Sequence, residues 1–315
     1  MPRTVGIVGA RGFVGSELIR LIAGHPEVEL AFVSSRERAN RRLDEHEAGY
    51  EGDLTYVDFG PDECARHPAD AIILALPNGH SEPFVAAIDR NEIIVDVSAD
   101  HRFVDDWAYG LPELGQKDVL RRAKRIANPG CYATAMQLAL APVVDLLDGP
   151  AQCFGVSGWS GAGASPSDKN DPDKLRDNLL PYSLIGHIHE RESTRFLRHP
   201  VELMPHVASH FRGLGVTTNA HLKSPVTRDA LVERFEAAYA SAPLVRVRTD
   251  PPWMSRVAGR HHAEVGGFTL SSDGRRLVIV SALDNLLKGA ATQAIQNLNL
   301  ALGLEDTLGI PGLDS

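Results

Sequence analysis

Residues 4–8 form a short apolar run that ends in three evenly spaced glycines, Gly9, Gly12 and Gly15. The next segment, Phe13–Ala23, carries Val14, Leu18, Leu21 and Ile22 on one helical face. A strand that enters a glycine turn and then a helix can bury its helix only by returning to the same sheet, so this feature constrains the fold most. The pattern recurs through the first half. Runs 28–33, 54–59, 71–76 and 93–98 read as strands, and 80–89 reads as a helix with Phe84, Ala87 and Ile88 together. The run 71–76 is apolar on both sides, as an interior parallel strand is. Past residue 150 the texture changes. Residues 161–178 are polar and rich in Asp and Pro, and read as a long loop. Leu214, Val216, Thr218, Ala220 and Leu222 alternate along a strand, while 264–271 and 275–282 flank Asp273-Gly274 as a hairpin. Residues 227–240 read as an amphipathic helix and 285–302 as a long one, with Leu287, Ala291, Ile295 and Leu298 at helical spacing. The expected fold is α/β: a doubly wound parallel sheet of Rossmann type, plus an α+β domain with a mixed or antiparallel sheet. A chain of 315 residues accommodates two such domains.

Glycines at this turn allow backbone N–H groups at the helix N-terminus to approach a pyrophosphate. The spacing is GxxGxxG and no GK[ST] follows, which excludes a Walker A loop. Gly9, Arg11, Gly12, Phe13 and Val14 are the candidate dinucleotide contacts. The second strand ends in Ser34, Ser35 and Arg36, where an NAD site normally carries an acid for the ribose 2′-OH. Two hydroxyls and a cation suit the 2′-phosphate of NADP instead. Glu37 can turn inward against that reading, and Arg36 and Arg38 can equally form a solvated charge pair.

The net charge of −9 lacks the basic stripe of a nucleic-acid binder. No apolar run approaches the ~18 residues of a membrane span, and residues 1–3 leave no room for a signal peptide, so a cytoplasmic protein is expected. The three cysteines contain no CxxC, and no metal is expected. Cys64 and Cys153 read as small core residues. Cys131 is different. Asn128-Pro129-Gly130 breaks the chain before it, and helical periodicity follows through Leu138 and Leu146. A cysteine at a helix N-terminus is stabilised as thiolate by unpaired N–H groups and the helix dipole, which makes a nucleophile for acyl transfer.

The segments Gly9 to Leu18, Tyr109-Gly110-Leu111-Pro112-Glu113-Leu114, Asn128 to Ala135, Ser157-Gly158-Trp159-Ser160-Gly161-Ala162-Gly163 and Asp284-Asn285-Leu286-Leu287-Lys288-Gly289-Ala290-Ala291 span nearly the whole chain in this order. In them the sequence resembles the N-acetyl-gamma-glutamyl-phosphate reductase family, within a wider class that includes aspartate-semialdehyde dehydrogenase. The resemblance implies an NADP-binding domain over 1–130 and 285–315, and a catalytic and oligomerisation domain over 131–284, in a homodimer or homotetramer. It implies NADPH-dependent reduction of a small acyl phosphate to a semialdehyde through a Cys131 thioester, in arginine biosynthesis. It also implies that Asn285 approaches the nicotinamide.

The chemistry needs a proton acceptor near neutral pH. His187 and His189 match the family's His-x-His motif. On an extended segment both rings would share a face, with His189 as the base and His187 as its substitute. Ser157, Ser160 and Gly161 offer hydroxyls and flexible backbone to the substrate. Many family members end that segment in arginine, where this chain has Ala164. Arg212, in a matching Arg-Gly segment, is the preferred partner for a substrate anion, with Lys169 as the other candidate. His261 and His262 read as strand-edge or surface residues, and Lys288 as a residue serving the fold. Alternatives are a zinc hydrolase using His187 and His189 with His206 or His210, a catalytically silent dinucleotide-binding regulator, and an acyl-phosphate reductase acting on aspartyl phosphate or another N-acyl substrate.

Overall fold

The computed structural model describes residues 2–88 and 91–313. Its contacts divide the chain into two units, one running up to Gly130 and resuming over Ala290–Pro311, the other Cys131–Gly289 and resuming at Gly312.

The first unit holds seven strands: β1 Arg3–Val8, β2 Val28–Ser34, β3 Tyr56–Val57, β4 Ala71–Leu74, β5 Ile93–Asp96, β6 Ala108–Tyr109 and β7 Arg125–Ala127. They form one sheet in the order β3-β2-β1-β4-β5-β7-β6, every neighbouring pair parallel. The reversal of winding at β1 opens a crevice between the carboxyl ends of β1 and β4, the usual ligand position of an open α/β sheet. Val5, Ile7, Ile72 and Ile73 are fully buried, as their position in central strands requires. The expected strand 54–59 shrinks to two residues. The helix expected at 80–89 is formed over Glu82–Ala87, and residue 89 lies outside the described residues.

The helix expected at 285–302 is interrupted. Asp284 Oδ1 accepts from the N–H groups of Leu286 and Leu287, and Gly289 N donates five residues back to Asp284 O at 2.9 Å. The result is a π-helical turn, Leu287–Ala291, before the regular helix Thr292–Ala301. That last helix buries polar as well as apolar side chains. Asn297 Nδ2 donates to Gly110 O and to Asn128 Oδ1, both at 2.9 Å, and Asn299 bonds His25. A Cβ on Gly110 would lie 2.1 Å from Asn297 Nδ2, so only glycine fits there.

The second unit is a mixed sheet of β8 Ala151–Gly158, β9 Leu179–Pro181, β10 Val201–Ala208, β11 Leu214–His221, β12 Val245–Arg248, β13 Ala263–Leu270 and β14 Arg276–Leu283. The order is β12-β13-β14-β11-β8-β10-β9, with β8–β10 and β12–β13 parallel and the other pairs antiparallel. β13 and β14 form the expected hairpin, in which Gly274 takes φ +68°. One face of the sheet packs Cys153, Leu203, Val216 and Ile279 with Met136, Leu138 and Phe235 from the helices Cys131–Leu140 and Arg228–Tyr239. On the opposite face Met204, Phe154, Thr217 and Val280 form one cross-strand row, and Phe154 and Met204 are exposed. The expected loop 161–178 contains two short 3-10 turns, Trp159–Ala162 and Asp168–Asn170, and a helical turn, Pro172–Leu175. His262 is a correction. It stands next to β13 yet is buried, not at the surface. No helix among the described residues is long and apolar enough to cross a membrane.

Candidate active site

Within the first unit, Gly9 takes φ +83°, and a Cβ there would sit 2.3 Å from Ala75 O; a Cβ on Gly15 would sit 2.5 Å from Ala10 O. Gly12 meets only Gly9 O at 3.7 Å. Two glycines therefore close the turn and the third leaves its outer side open. No side chain caps the helix Phe13–Ala23, whose N-terminus follows directly on that glycine turn, the position a pyrophosphate takes in this kind of fold. Arg11 is tied to Glu37 at 2.6 Å, so the acid that complicated the NADP reading is turned onto an arginine. Ser34 Oγ donates to Phe59 O and accepts from Phe59 N, which commits its hydroxyl to the fold. Ser35 is buried, whereas Arg36 is exposed with only a 3.9 Å approach to Asp58. Arg38 is not a solvated cation: it is half-buried against Glu47 at 2.7 Å and Tyr56 at 2.9 Å. The residues present thus fit a dinucleotide, with Arg36 the cation nearest to free.

Within the second unit, Cys131 is the first residue of the helix Cys131–Leu140 and is partly accessible, while the rest of that helix is buried. A Cβ on Gly289 would come within 2.7 Å of Cys131 Cβ, so that glycine is the space in which the cysteine sits. Tyr132 packs on Gly155, where a Cβ would lie 2.5 Å from its ring, and donates its hydroxyl to His206 O at 2.8 Å. Burial and then the Cys131 sulfur push the Tyr182 phenol above its ordinary pKa; burial, Tyr182 and Cys131 do the same for Tyr132. Both phenols are therefore neutral neighbours of the sulfur. Cys64 and Cys153 are fully buried, and burial pushes each thiol up to about 12, which makes them inert near neutral pH.

The His-x-His segment is not extended. His187 caps the helix Ile188–Leu197, and its Nδ1 accepts from His189 N at 3.1 Å. The cap nevertheless brings the two rings together, with centroids 4.8 Å apart and each about 6 Å from Tyr132 (6.2 and 6.1 Å). His206 projects toward Phe154 on the other side of the sheet, and His210 bonds Gly213 O. Among the described residues no three His, Cys, Asp or Glu side chains converge as metal ligands, so the zinc arrangement lacks a ligand set.

A second cluster surrounds Asp284. Its fully buried carboxylate pairs with the Arg212 guanidinium, with Nε 2.7 Å away and Nη2 donating at 3.3 Å, and accepts from Gly259 N at 2.6 Å, besides the two helix N–H groups. Arg212 is partly exposed. Asn285 is buried: its Oδ1 accepts from Gly213 N and its Nδ2 donates to Ser160 Oγ, both at 2.9 Å. Ser157 donates to Gly158 O, and a Cβ on Gly161 would press on Ser157 Oγ at 2.9 Å. Sequence reasoning singled out Cys131, His187, His189, Arg212, Asp284, Asn285, Ser157, Ser160 and Gly161, and missed Tyr182, Gly155, Gly259 and the clasp between Arg212 and Asp284. An aromatic beside Pro181, at the end of a polar stretch, was the one available sign of Tyr182.

Comparison with known proteins accords with this two-unit architecture. The family model "Semialdehyde dehydrogenase, NAD binding domain" matches residues 4–122, and "Semialdehyde dehydrogenase, dimerisation domain" matches 131–285. Among solved structures, aspartate semialdehyde dehydrogenase II from Vibrio cholerae superposes with a TM-score of 0.77 at 19% identity, over 96% of this chain and 99% of that one. The aspartate semialdehyde dehydrogenase with NADP from Candida albicans gives 0.72 at 16% identity, over 96% and 99%. The fold is thus that of the semialdehyde dehydrogenases. In sequence, the N-acetyl-gamma-glutamyl-phosphate reductase of Stenotrophomonas maltophilia (strain R551-3) is 57% identical over 98% of both chains, and that of Xylella fastidiosa (strain M23) 53% identical over 98% of this chain and 95% of that one. The chain belongs to the N-acetyl-gamma-glutamyl-phosphate reductase family.

Proposed function

We propose that this chain reduces N-acetyl-gamma-glutamyl phosphate to N-acetyl-glutamate semialdehyde with release of phosphate, in arginine biosynthesis, using NADPH. The observation that carries the reading is identity above one half over 98% of the chain to a reductase of that name, in a chain whose one partly accessible cysteine opens a helix and is followed by Tyr132, 6.2 and 6.1 Å from two histidine rings. In this reading residues 1–130, with the returning C-terminal stretch, hold the dinucleotide, and 131–284 carry the chemistry and self-association. The N–H groups of Phe13 and Val14 and the backbone at Gly9 and Gly12 hold the pyrophosphate, and Arg36 the 2′-phosphate, with Arg11 and Ser35 beside them.

Cys131 loses its proton to His189, and its sulfur attacks the acyl carbon of the substrate. A C–S bond forms, the bond from carbon to the phosphate oxygen breaks, and phosphate leaves with that electron pair. The thioester is electrophilic enough to accept hydride, which a carboxylate is not. Bound NADPH supplies that hydride. His189 gives the proton to the tetrahedral oxygen as charge develops there, and takes it back as the C–S bond breaks to free the aldehyde and the thiolate. His189 suits the role better than His187, because His187 Nδ1 is occupied as a helix cap. Ser157, Ser160 and Gly161 line the substrate side, Arg212 lies beside them, and Asn285 holds Ser160 in place. We assign the protein to the cytoplasm, where such biosynthesis draws on soluble NADPH. The half-apolar outer face around Phe154 and Met204 supports assembly into a homodimer or homotetramer.

The test is phosphate-dependent reduction of NADP with N-acetyl-glutamate semialdehyde, beside its succinylated and aspartate counterparts. The acetyl compound is expected to turn over fastest, and Cys131→Ser to bind NADPH normally while losing turnover by about 10³-fold or more. Full turnover by the variant would remove the thioester from the scheme.

A further inference from the structure

We propose that Lys169 is the cation that holds an anionic group of the substrate, a specificity residue for the reaction proposed above, on which this inference rests. The substrate carries two oxyanions, a phosphoryl group and a carboxylate, and each calls for a positive partner. Arg212 is already bound along one edge by the buried Asp284. Lys169 is half-buried with its Nζ 4.8 Å from the centre of the Tyr182 ring, and no carboxylate among the described residues lies within 4 Å of that nitrogen. Tyr182 in turn meets His187 edge to face at 5.5 Å, and burial with the Cys131 sulfur holds its phenol above the ordinary pKa. A lysine in a chain of net charge −9, held against the aromatic ring that meets His187, is a cation kept for a ligand.

The loop is built to leave it so. Asp168, its neighbour on one side, is drawn onto Lys174 at 2.5 Å. Asp171, two residues on, is turned back to accept from Asp173 N and Lys174 N. Asn170 fixes the turn: its Oδ1 accepts from Ser167 N at 2.7 Å, and its Nδ2 donates to Gly163 O at 2.9 Å and Ser165 O at 2.7 Å. That amide ties the residues on either side of Ala164 to the turn that presents Lys169.

Two readouts on Lys169→Met and Lys169→Arg test the assignment, one independent of turnover. The first is steady-state kinetics. Lys169→Met is expected to raise one KM by about tenfold or more, with partial rescue in Lys169→Arg. A rise in the KM for inorganic phosphate places Lys169 on the phosphoryl group; a rise in the KM for the semialdehyde places it on the carboxylate. The second readout is alkylation of Cys131, the other two thiols being buried. A nearby cation favours anionic iodoacetate over neutral iodoacetamide, and added phosphate or N-acetyl-glutamate suppresses that preference. In Lys169→Met the preference is expected to fall severalfold. If the wild type shows the preference and Lys169→Met loses it, but neither turns over the substrate, the anion site stands and the reaction does not. If the wild type turns over and Lys169→Met leaves every KM and the alkylation preference unchanged, with or without a fall in kcat, the anion site is overturned and the reaction stands.

Discussion

Arg212 and Asp284 lie 72 residues apart in sequence and within 2.7 Å in space. Asp284 has no exposed surface, so its charge depends on the arginine and on three backbone N–H groups. Removing one member of a wholly buried pair costs about 3–5 kcal/mol, because the other charge is left uncompensated. Arg212 is partly exposed and the N–H groups remain, so Arg212→Met is expected to destabilise by about 2–3 kcal/mol in urea unfolding. A loss under about 0.5 kcal/mol would mean that the N–H groups alone hold the carboxylate. At this scale the sequence was legible where chemistry is local. The Asp284 cap, the two inert cysteines and the turn before Cys131 all follow from neighbouring residues. The clasp of Arg212 on Asp284 and the place of Tyr182 do not, because each depends on chain folding back across many residues.

Among the elements, those with a clean period were readable and those with a mixed surface were not. β1, β2, β4 and β5 are short apolar runs between glycine turns and helices, and their alternation suffices for a parallel sheet. β8 carries Gly155, Ser157 and Gly158, and β10 carries Pro205, which lacks an N–H for a ladder; neither looks like a central strand in sequence, yet both are paired on two sides. The helix Ile188–Leu197 has few apolar residues and buries Glu192 and Ser193, so it shows no apolar stripe. The start of β13 carries a pH dependence. Burial, followed by the charges of Arg246, Arg260, Arg248 and His261, lowers the His262 pKa to about 4. A depressed histidine leaves the folded state binding fewer protons than the unfolded chain at pH 4–6.5. Its neutral form supports the fold fully above about pH 6.5, and stability drains as pH falls toward 4. Between pH 6.5 and 5 the wild type is expected to lose about 1.5 kcal/mol more than His262→Gln in urea unfolding. Parallel curves for the two proteins would show that His262 titrates normally.

At the scale of the whole molecule, the outer face of the second sheet exposes polar and apolar side chains side by side. Across one end runs a polar ladder, in which Gln152 Nε2 donates to Glu202, Asn219 Nδ2 donates to Gln152 Oε1, and Arg276 Nε donates to Asn219 Oδ1. Beside it lie Met204 and Phe154, exposed in neighbouring strands. If this face joins copies of the chain, Phe154→Glu is expected to shift sedimentation toward the monomer while leaving the far-ultraviolet circular dichroism unchanged. An unaltered sedimentation coefficient would place any assembly elsewhere.

The course of the chain has a further consequence for how it is made. All the strands of the second unit lie in one continuous stretch, Cys131–Gly289, whereas the first unit closes only when Ala290–Pro311 comes back to it. Asn297 and Asn299 then bond to Gly110, Asn128 and His25. During synthesis all the strands of the second unit are made before the helix Thr292–Ala301, for which residues 1–130 must wait. A stop codon at or just after residue 290 would therefore leave residues 1–130 without their finishing element, and expose them to proteolysis before residues 131–289.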